Sequence, residues 1–342
     1  MNTMRKLTGV ATVALLLGVA CGKKEMPAAA AKGEQAAPAG PALIPAPQPV
    51  PDPEPASPTV PSSAWQPAPA QVVEAATKVE KLKAPKVAKL ESDDPNGAWW
   101  KDTPYIDVAM MPQQMAMPFL EKATITNLRA QVAHDGEKLA VRVTWEDATP
   151  DGNVDTSRFA DAVAIEFPLK GDSPATMGSK DSPVQIVQWK GIWQKDIDVG
   201  FQDVQDLHPN FWSDLYWFTE GGHPHKIPQA FKKKESLQWL VALSAGNPVA
   251  LLQRSTPVAE YAAVGWGTLT HQHSSASTGR GLWHAGKWSV VFIRPLKTDD
   301  AQDAQLAAGQ PTKLAFAVWD GGKGQVGGRK HWSGWNDVEL AP

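Results

Sequence analysis

The chain has 342 residues, with 33 Lys or Arg against 36 Asp or Glu, and its formal net charge is −3 at pH 7. This near balance, without a basic patch interleaved with aromatic residues, argues against nucleic acid as a partner. Cys21 is the only cysteine, which excludes an internal disulfide, a cysteine-based zinc site, an iron–sulfur cluster and covalently attached c-type haem.

The N-terminus has the pattern of a lipoprotein signal peptide. Arg5 and Lys6 supply positive charge, and the uncharged apolar run Leu7–Ala20 is too short to cross a bilayer comfortably. Small residues then lead directly to Cys21, the context in which signal peptidase II cleaves. We expect residues 1–20 to be the signal peptide and Cys21 to carry lipid. The protein would then be exported and anchored in a membrane facing the periplasm, with the outer membrane as a candidate. The alternative is an ordinary cleaved signal peptide followed by an incidental cysteine.

Residues 21–95 have the composition of a linker. Ala, Pro, Glu, Lys and Val dominate this stretch, and prolines recur through residues 41–58. Proline fixes φ and removes a backbone donor, so such segments favour extended conformations and bury no core. We therefore predict a lipidated cysteine and a disordered Pro/Ala-rich linker at 21–95, followed by one folded domain at 96–342.

Residues 96–342 show strand periodicity. Leu139, Val141, Val143 and Trp145 alternate with residues of the opposite face, and the run lies between turn signals. Similar short runs recur along the chain, at 163–167, 184–189, 240–243, 265–270, 288–293 and 314–319. The pattern predicts an all-β fold, a β-sandwich. Residues 198–236, rich in aromatic side chains, interrupt the rhythm and are predicted to form a long insertion.

Few residues are candidates for catalysis. No Gly-x-Ser-x-Gly elbow occurs, and the close histidine pairs are His223 with His225 and His271 with His273. Residues i and i+2 of a strand share a face, so either pair could hold a metal, but no third ligand can be named. Exposed loop residues are the simpler interpretation of His223 and His225.

Tryptophan is abundant in the domain. Fourteen of the fifteen tryptophans lie within residues 96–342. They could pack in the core, stack on sugar rings, or line a wide apolar slot for a flat macrocycle. Haem b fits the last use, because it needs no cysteine and its iron accepts Met, His or Lys ligands.

Several segments, in the same order, resemble the haem-binding γ subunits of ethylbenzene dehydrogenase, dimethylsulfide dehydrogenase, chlorate reductase and selenate reductase. The matching segments are 134–137 with 143–147, 161–168, 176–178 with 183–190, 245–248, 265–270, 281–283 with 286–294, and 316–321. The resemblance covers about Trp99 to Leu340. It implies a β-sandwich that holds one non-covalent haem b between a methionine of a Met-Gly motif and a lysine further along the chain.

Two axial ligands are expected from this resemblance. The methionine corresponds to Met177, which lies in a polar Thr-Met-Gly loop rather than on an apolar stripe; a core methionine is the alternative. Where the lysine is expected, the chain reads His271-Gln272-His273. A neutral imidazole is the stronger ligand at neutral pH, so His271 is the leading candidate, with His273 and Lys226 as alternatives.

The function implied by the resemblance is electron transfer without substrate turnover. The domain would relay electrons to or from a partner oxidoreductase, either a molybdenum (molybdopterin) enzyme with an iron–sulfur subunit or a c-type cytochrome. A lipid-anchored carbohydrate-binding or cell-envelope module without redox chemistry is the alternative. The absorption spectrum of the purified protein distinguishes the two, because a sugar-binding module lacks the visible bands of haem b.

Overall fold

The computed structural model describes residues 65, 67, 76–90, 92–211, 226–247, 250–272 and 275–342. All of them belong to one compact unit, residues 47–342. The predicted signal peptide, Cys21, most of the predicted linker, and His223, His225 and His273 lie outside the described residues. Within the described part of the chain, no helix is long and apolar enough to span a membrane.

Strands dominate the described residues. They are β1 (Leu82–Ala84), β2 (Tyr105–Ala109), β3 (Met111–Pro112), β4 (Asn127–His134), β5 (Lys138–Glu146), β6 (Ala162–Pro168), β7 (Val184–Lys190), β8 (Val258–Ala263), β9 (Thr270–His271), β10 (Thr278–His284), β11 (Lys287–Pro295), β12 (Pro311–Trp319), β13 (His331–Trp332) and β14 (Asn336–Leu340). The helices are short: α1 (Gly191–Val199), α2 (Val204–Leu207), α3 (Ile227–Ala230), α4 (Lys234–Leu237) and α5 (Val241–Ser244), with 3-10 turns at Ala98–Lys101 and Gly321–Lys323.

The strands form two sheets, as expected for a β-sandwich. The larger has the order β1-β14-β12-β6-β7-β8-β9, with β13 pairing with β12 and β3 pairing with β13. The smaller has the order β10-β11-β5-β4-β2. Neighbouring strands are antiparallel except β1, which runs parallel to β14. The all-β prediction is confirmed.

The core lies between the two sheets. Trp145 and Trp288 of the smaller sheet meet Trp189 of the larger one, with ring centroids 6.4 and 4.8 Å from Trp189. All three side chains are at most 2% exposed. Aromatic side chains bury large apolar areas, so this cluster contributes much of the driving force for sheet packing.

Strand β6 shows why there is space on the outer face of the larger sheet. Val163, Ile165 and Phe167 point into the core between the sheets. The alternate positions, Ala162 and Ala164, carry small side chains that belong to a separate apolar cluster. Because side chains alternate across a strand, small residues on the outer face leave room above the sheet while large residues fill the core below it.

The insertion is longer than predicted. It runs between β7 and β8, residues 191–257, and contains α1 to α5. The predicted strand at 240–243 is wrong, since Val241–Ser244 is helical. The predicted strand at 265–270 is reduced to Thr270–His271, because Gly265 and Gly267 take positive φ angles of 133° and 74° that bend the chain. Strand β8 was not predicted.

The folded region begins earlier than residue 96. Strand β1 pairs with β14, placing Leu82 opposite Val338. Leu82 is fully buried, and Trp65 is 7% exposed within the main core. The predicted boundary at residue 95 is therefore too late. Composition misled the prediction, because a three-residue edge strand among prolines and lysines carries almost no periodic signal.

Candidate cofactor-binding cavity

A cavity of about 840 Å³ lies on the outer face of the larger sheet. Strands β6, β7 and β12 form one wall, with Ala162, Ala164 and Ala317 supplying the space. The rest of the lining comes from the insertion and from loops near residues 115, 176, 266 and 327. The volume is in the range of cofactor and drug-sized sites, about 300–1,000 Å³.

The lining is mostly apolar and rich in aromatic rings. Its apolar members include Met115, Met117, Val154, Phe159, Ile186, Ile192, Trp193, Phe201, Leu251, Trp266, Leu269, Trp319, Val326 and Trp332. A large, flat apolar ligand would be desolvated by such a surface. The tryptophans thus fall into two groups: Trp193, Trp266, Trp319 and Trp332 line the cavity, whereas Trp145, Trp189 and Trp288 pack in the core.

Met177 lies in the wall of this cavity. It sits in the loop between β6 and β7 and has φ 70°, a left-handed conformation that is unusual for a residue with a side chain. Its carbonyl accepts a hydrogen bond from Gly265 N at 2.8 Å. The following Gly178 is also left-handed, and a Cβ there would lie 3.0 Å from the carbonyl oxygens of Ser182 and Ala263. The packed loop therefore fixes the position of the Met177 thioether.

Glu166 lies on the cavity face of β6, two positions after Ala164. The backbone N–H of Met177 donates to its carboxylate, whereas the Oε1 atom is buried without a hydrogen-bond partner. Burial raises the pKa of Glu166 to about 7, although the Lys330 charge and the Met177 N–H act in the opposite direction. The cavity therefore contains an unsatisfied buried oxygen beside Met177.

Two lysines line the cavity, and they have different surroundings. Lys330 precedes β13; burial lowers the pKa of its ammonium group, while Glu166 raises it. Its Nζ lies 5.3 Å from the centre of the Trp319 ring. Lys190 ends β7, where burial and the Arg254 charge lower its pKa to about 8. Only a neutral amine can ligate a metal, so a lowered pKa makes a buried lysine a better ligand.

The sequence candidates for the second ligand lie elsewhere. His271 is on β9, with its ring centre 5.5 Å from that of Tyr261, and it is not among the described residues that line the cavity. Lys226 precedes α3, and its Nζ pairs with Asp206 Oδ1 at 2.8 Å. His273 lies outside the described residues. The structure thus brings Met177 to the cavity without His271 or Lys226.

Sequence reasoning missed Glu166 and Lys330. Glu166 did leave a signal, because it is the charged residue in an otherwise apolar strand whose same-face neighbours are alanines. Lys330 left none, since it follows two glycines and an arginine in a loop.

The donor set fits haem. A methionine thioether held in a packed loop, a lysine with a lowered pKa and an aromatic-rich apolar cavity would together suit a haem, whose iron these two side chains could hold. The buried Glu166 Oε1 atom, which has no hydrogen-bond partner, could accept a hydrogen bond from a bound ligand.

Comparisons with known proteins agree with this cavity chemistry. The family model described as "Ethylbenzene dehydrogenase" matches residues 97–331. The chain is 26% identical over 259 residues to a protein of Haloferax mediterranei assigned as a respiratory nitrate reductase heme subunit, covering 75% of this chain and 71% of that protein. It is 25% identical to the chlorate reductase γ subunit of Ideonella dechloratans over 69% of this chain and 74% of that subunit.

Two further similarities differ in weight. The dimethylsulfide dehydrogenase γ subunit of Rhodovulum sulfidophilum is 24% identical over 76% of this chain and 80% of that subunit. A family 9 carbohydrate-binding module of Caldicellulosiruptor kristjanssonii, solved with glucose, aligns over 77% of this chain and 95% of its own, with 7% identity and a TM-score of 0.35. A likeness that weak carries no argument about the ligand.

Proposed function

We propose that this chain, which belongs to the ethylbenzene dehydrogenase family, is an electron-transfer subunit that binds one non-covalent haem b in the cavity beside β6. The observation that carries the proposal is Met177 in the wall of an aromatic-rich cavity, in a chain similar to a heme subunit and to γ subunits of oxidoreductases. The haem, when bound, supplies one-electron chemistry; the protein supplies burial and axial ligands.

Met177 and Lys330 are the proposed axial ligands. The Glu166 carboxylate links them, because it accepts the Met177 N–H and acts on the charge of Lys330. Lys190 has different neighbours: its Nζ lies 4.6 Å from the centre of the Trp193 ring, and Arg254 is the charge that acts on it. The pKa is lowered for both lysines, so position decides between them: Lys330 shares the Glu166 carboxylate with Met177, whereas Lys190 lies beside Trp193 and Arg254. His271 and Lys226 are not among the described residues that line the cavity. We therefore propose Lys330 as the partner of Met177.

The end of the cavity near Lys190 and Arg254 is suited to the propionate groups of a haem, although Arg254 is not among the lining residues. Lys190 and Asp196 line the cavity there, and Arg254 Nε lies 3.9 Å from Asp196 Oδ2. The Arg254 guanidinium also lies over Trp193, at 4.4 Å from the ring centre. Carboxylates are stabilised by such cations. In this arrangement Lys190 binds the periphery of the cofactor and Lys330 binds the iron.

The partner is proposed to be a redox protein. Molybdenum enzymes with an iron–sulfur subunit, or a c-type cytochrome, are the candidate partners, and substrate turnover belongs to them. This domain would exclude water from the haem and set its potential through the ligands and the dry pocket.

Absorption spectroscopy of the purified protein tests the haem and its ligands. The wild type, expressed with adequate haem, is expected to show the sharp visible bands of reduced low-spin haem b. Met177→Ala and Lys330→Ala should each convert the iron to a high-spin or water-ligated form, because each removes one strong ligand. Lys190→Ala, a lysine of the same cavity, and His271→Ala are the matched controls and should retain the low-spin bands.

Two results would contradict the proposal in different ways. A change of spin state in His271→Ala but not in Lys330→Ala would keep the haem and overturn the lysine ligand. A wild-type protein without haem absorbance would remove the electron-transfer function and favour the carbohydrate-binding alternative.

We further propose that Cys21 anchors the protein in a membrane. The support is the sequence of a charged n-region, an apolar run and a lone cysteine. Acyl chains on a lipidated cysteine hold firmly, because each buried CH₂ contributes about 0.8 kcal/mol. Cys21→Ser should move the protein from the membrane fraction to the soluble fraction, as checked by fractionation and immunoblotting. Unchanged retention of the variant in membranes would show that the anchor lies elsewhere.

A further inference from the structure

Four aspartates from separate loops converge where the two sheets meet. Asp147 follows β5 of the smaller sheet, while Asp161 precedes β6 and Asp320 follows β12 of the larger sheet. Asp151 comes from the loop between β5 and β6. One carboxylate oxygen from each of the four lies within 4.8 Å of the others.

This cluster is buried and lacks a balancing positive charge. Asp147, Asp161 and Asp320 are 5%, 0% and 8% exposed, and Asp151 is half-buried. None of the ion pairs between described residues involves these carboxylates. Lys323 acts on Asp320, but it is itself exposed. Like charges at this separation in a buried site repel strongly, so something must neutralise them.

One oxygen in the cluster is left without a partner. Asp147 Oδ2 is fully buried and receives no hydrogen bond from any described residue. The Trp145 indole lies beside this carboxylate and lowers its pKa, but its Nε1 makes no well-formed hydrogen bond to Oδ2. Leaving a buried carboxylate oxygen unpaired costs on the order of 1–3 kcal/mol. A folded protein rarely keeps such an atom unless a ligand, an ion or water satisfies it.

The other carboxylates are held in place by hydrogen bonds. Asp161 accepts from Asp151 N at 2.7 Å, from Trp288 Nε1 at 2.9 Å and from Gly321 N at 2.8 Å. Thr149 Oγ1 donates to Asp151 Oδ2 at 2.8 Å. These donors orient the carboxylates and still leave oxygen lone pairs available for a ligand.

Gly322 allows the loops to approach the cluster closely. A Cβ at this position would lie 2.8 Å from Asp151 Oδ2 and 3.4 Å from Asp320 Oδ1. The chain therefore has glycine at a position where a Cβ would displace the Asp151 carboxylate and contact that of Asp320.

We propose that this aspartate cluster is a structural calcium site. All of its donors are carboxylate oxygens, which hard divalent cations prefer, and it contains no nitrogen or sulfur ligand for zinc or copper. Ca²⁺ accepts six to eight oxygens in flexible geometry, so four carboxylates and water suffice. The site would join β5 to β6 and β12 and so connect the two sheets.

The site would also brace the cofactor cavity. The loop that carries Asp151 goes on to Val154, Phe159 and Ala160, and the loop after Asp320 leads to Val326 and Gly327; all five residues line the cavity. Holding the bases of both loops fixes that side of the lining. The proposal does not depend on haem, because the aspartates do not line the cavity.

Metal binding to the full chain, as purified, tests the site. Elemental analysis should find about one Ca²⁺ per chain before EGTA treatment and none after it. Isothermal titration with CaCl₂ should then restore one site. Thermal unfolding should shift upward by roughly 5–10 °C at about 100 times Kd, with MgCl₂ giving a smaller shift. Haem content, read from the same samples, reports separately on the electron-transfer proposal.

Asp147→Asn keeps the shape of the side chain and removes its charge. We expect it to weaken Ca²⁺ binding at least tenfold and to abolish the thermal shift, whereas Asp299→Asn, an exposed aspartate outside the cluster, should change neither. If Asp147→Asn fails to fold, the half-buried Asp151→Asn replaces it. No Ca²⁺ binding by the wild type, or binding that survives both substitutions, would overturn the proposal. A wild type that shows no heat of Ca²⁺ binding, together with an Asp147→Asn variant that is more stable than the wild type, would overturn the proposal. It would show that bound protons, rather than Ca²⁺, neutralise the cluster.

Discussion

At the scale of single residues, Met177 combines a functional position with backbone strain. Among described residues with side chains, only Met177 and Ala285 have positive φ. The left-handed conformation costs an L-residue on the order of 1 kcal/mol. Glycine would avoid this cost, but it carries no thioether. The strain is therefore consistent with a side chain retained for its chemistry.

Comparing Met177→Gly with Met177→Ala isolates this strain. Both variants lose the thioether and should lose the low-spin spectrum alike. Since glycine adopts φ 70° freely, the Gly variant should be about 1 kcal/mol more stable than the Ala variant. This is the reverse of the usual order, and urea unfolding of the two haem-free variants measures it.

Ala175 provides the control for that comparison. It lies in the same loop but does not have a positive φ, so Ala175→Gly should lower the free energy of unfolding by up to about 1 kcal/mol. If Met177→Ala proves as stable as Met177→Gly, the backbone of this loop is not strained in solution.

At the scale of elements, the predictable parts are the strongly hydrophobic strands. Residues 139–145, 163–167, 184–189, 288–293 and 314–319 were predicted as strands, and all five lie within observed strands. Each is rich in β-branched, leucine or aromatic residues and is mostly buried, so hydrophobicity marks it in the sequence. Strand β8 escaped prediction because its sequence, VAEYAA, contains three alanines and a glutamate, which are depleted in strands.

The elements that sequence reasoning misjudged belong to the insertion and to the edges of the larger sheet. No residue of helix α5 is buried: three are exposed and Leu243 is half-buried. Its hydrophobic pattern therefore does not reflect burial. Strand β9 has two residues and β1 has three. Elements this short are decided by the sheet they join, a contact that no local pattern records.

The site was predictable only where a local motif exists. Met177 is predicted from the family resemblance of its Thr-Met-Gly loop, and its role as a ligand stays a prediction, whereas Glu166 and Lys330 are brought together by tertiary structure across more than half of the domain. The aspartate cluster shows the same limit. Asp147, Asp161 and Asp320 each end or begin a strand and look like ordinary turn residues, and only the packing of the two sheets makes them neighbours.

At the scale of the whole molecule, the N-terminal segment is part of the fold. Trp65 lies in the core cluster, with its ring centre 6.3 Å from that of Trp288, and its Nε1 donates to Asp198 Oδ2 at 3.3 Å. A Cβ on Gly152 would lie 2.4 Å from the Trp65 ring. Of the described residues upstream of residue 96, Trp65 and β1 thus contact the sandwich core, and Trp65 also contacts the insertion.

This arrangement predicts where the chain can be shortened. A chain that begins at residue 61 should keep the free energy of unfolding of the mature protein, whereas one that begins at residue 96 should lose at least about 5 kcal/mol or fail to fold. The reason is additive: burial of Leu82 and Trp65 alone contributes about 2–5 and 3–5 kcal/mol, respectively, and β14 loses its parallel partner. Urea unfolding followed by tryptophan fluorescence measures the difference. Trp65→Ala in the chain that begins at residue 61 is the matched control and should account for roughly half of the loss. Equal stability of the chains beginning at 61 and 96 would mean that this segment only rests on the domain, and that the linker extends to residue 95 after all.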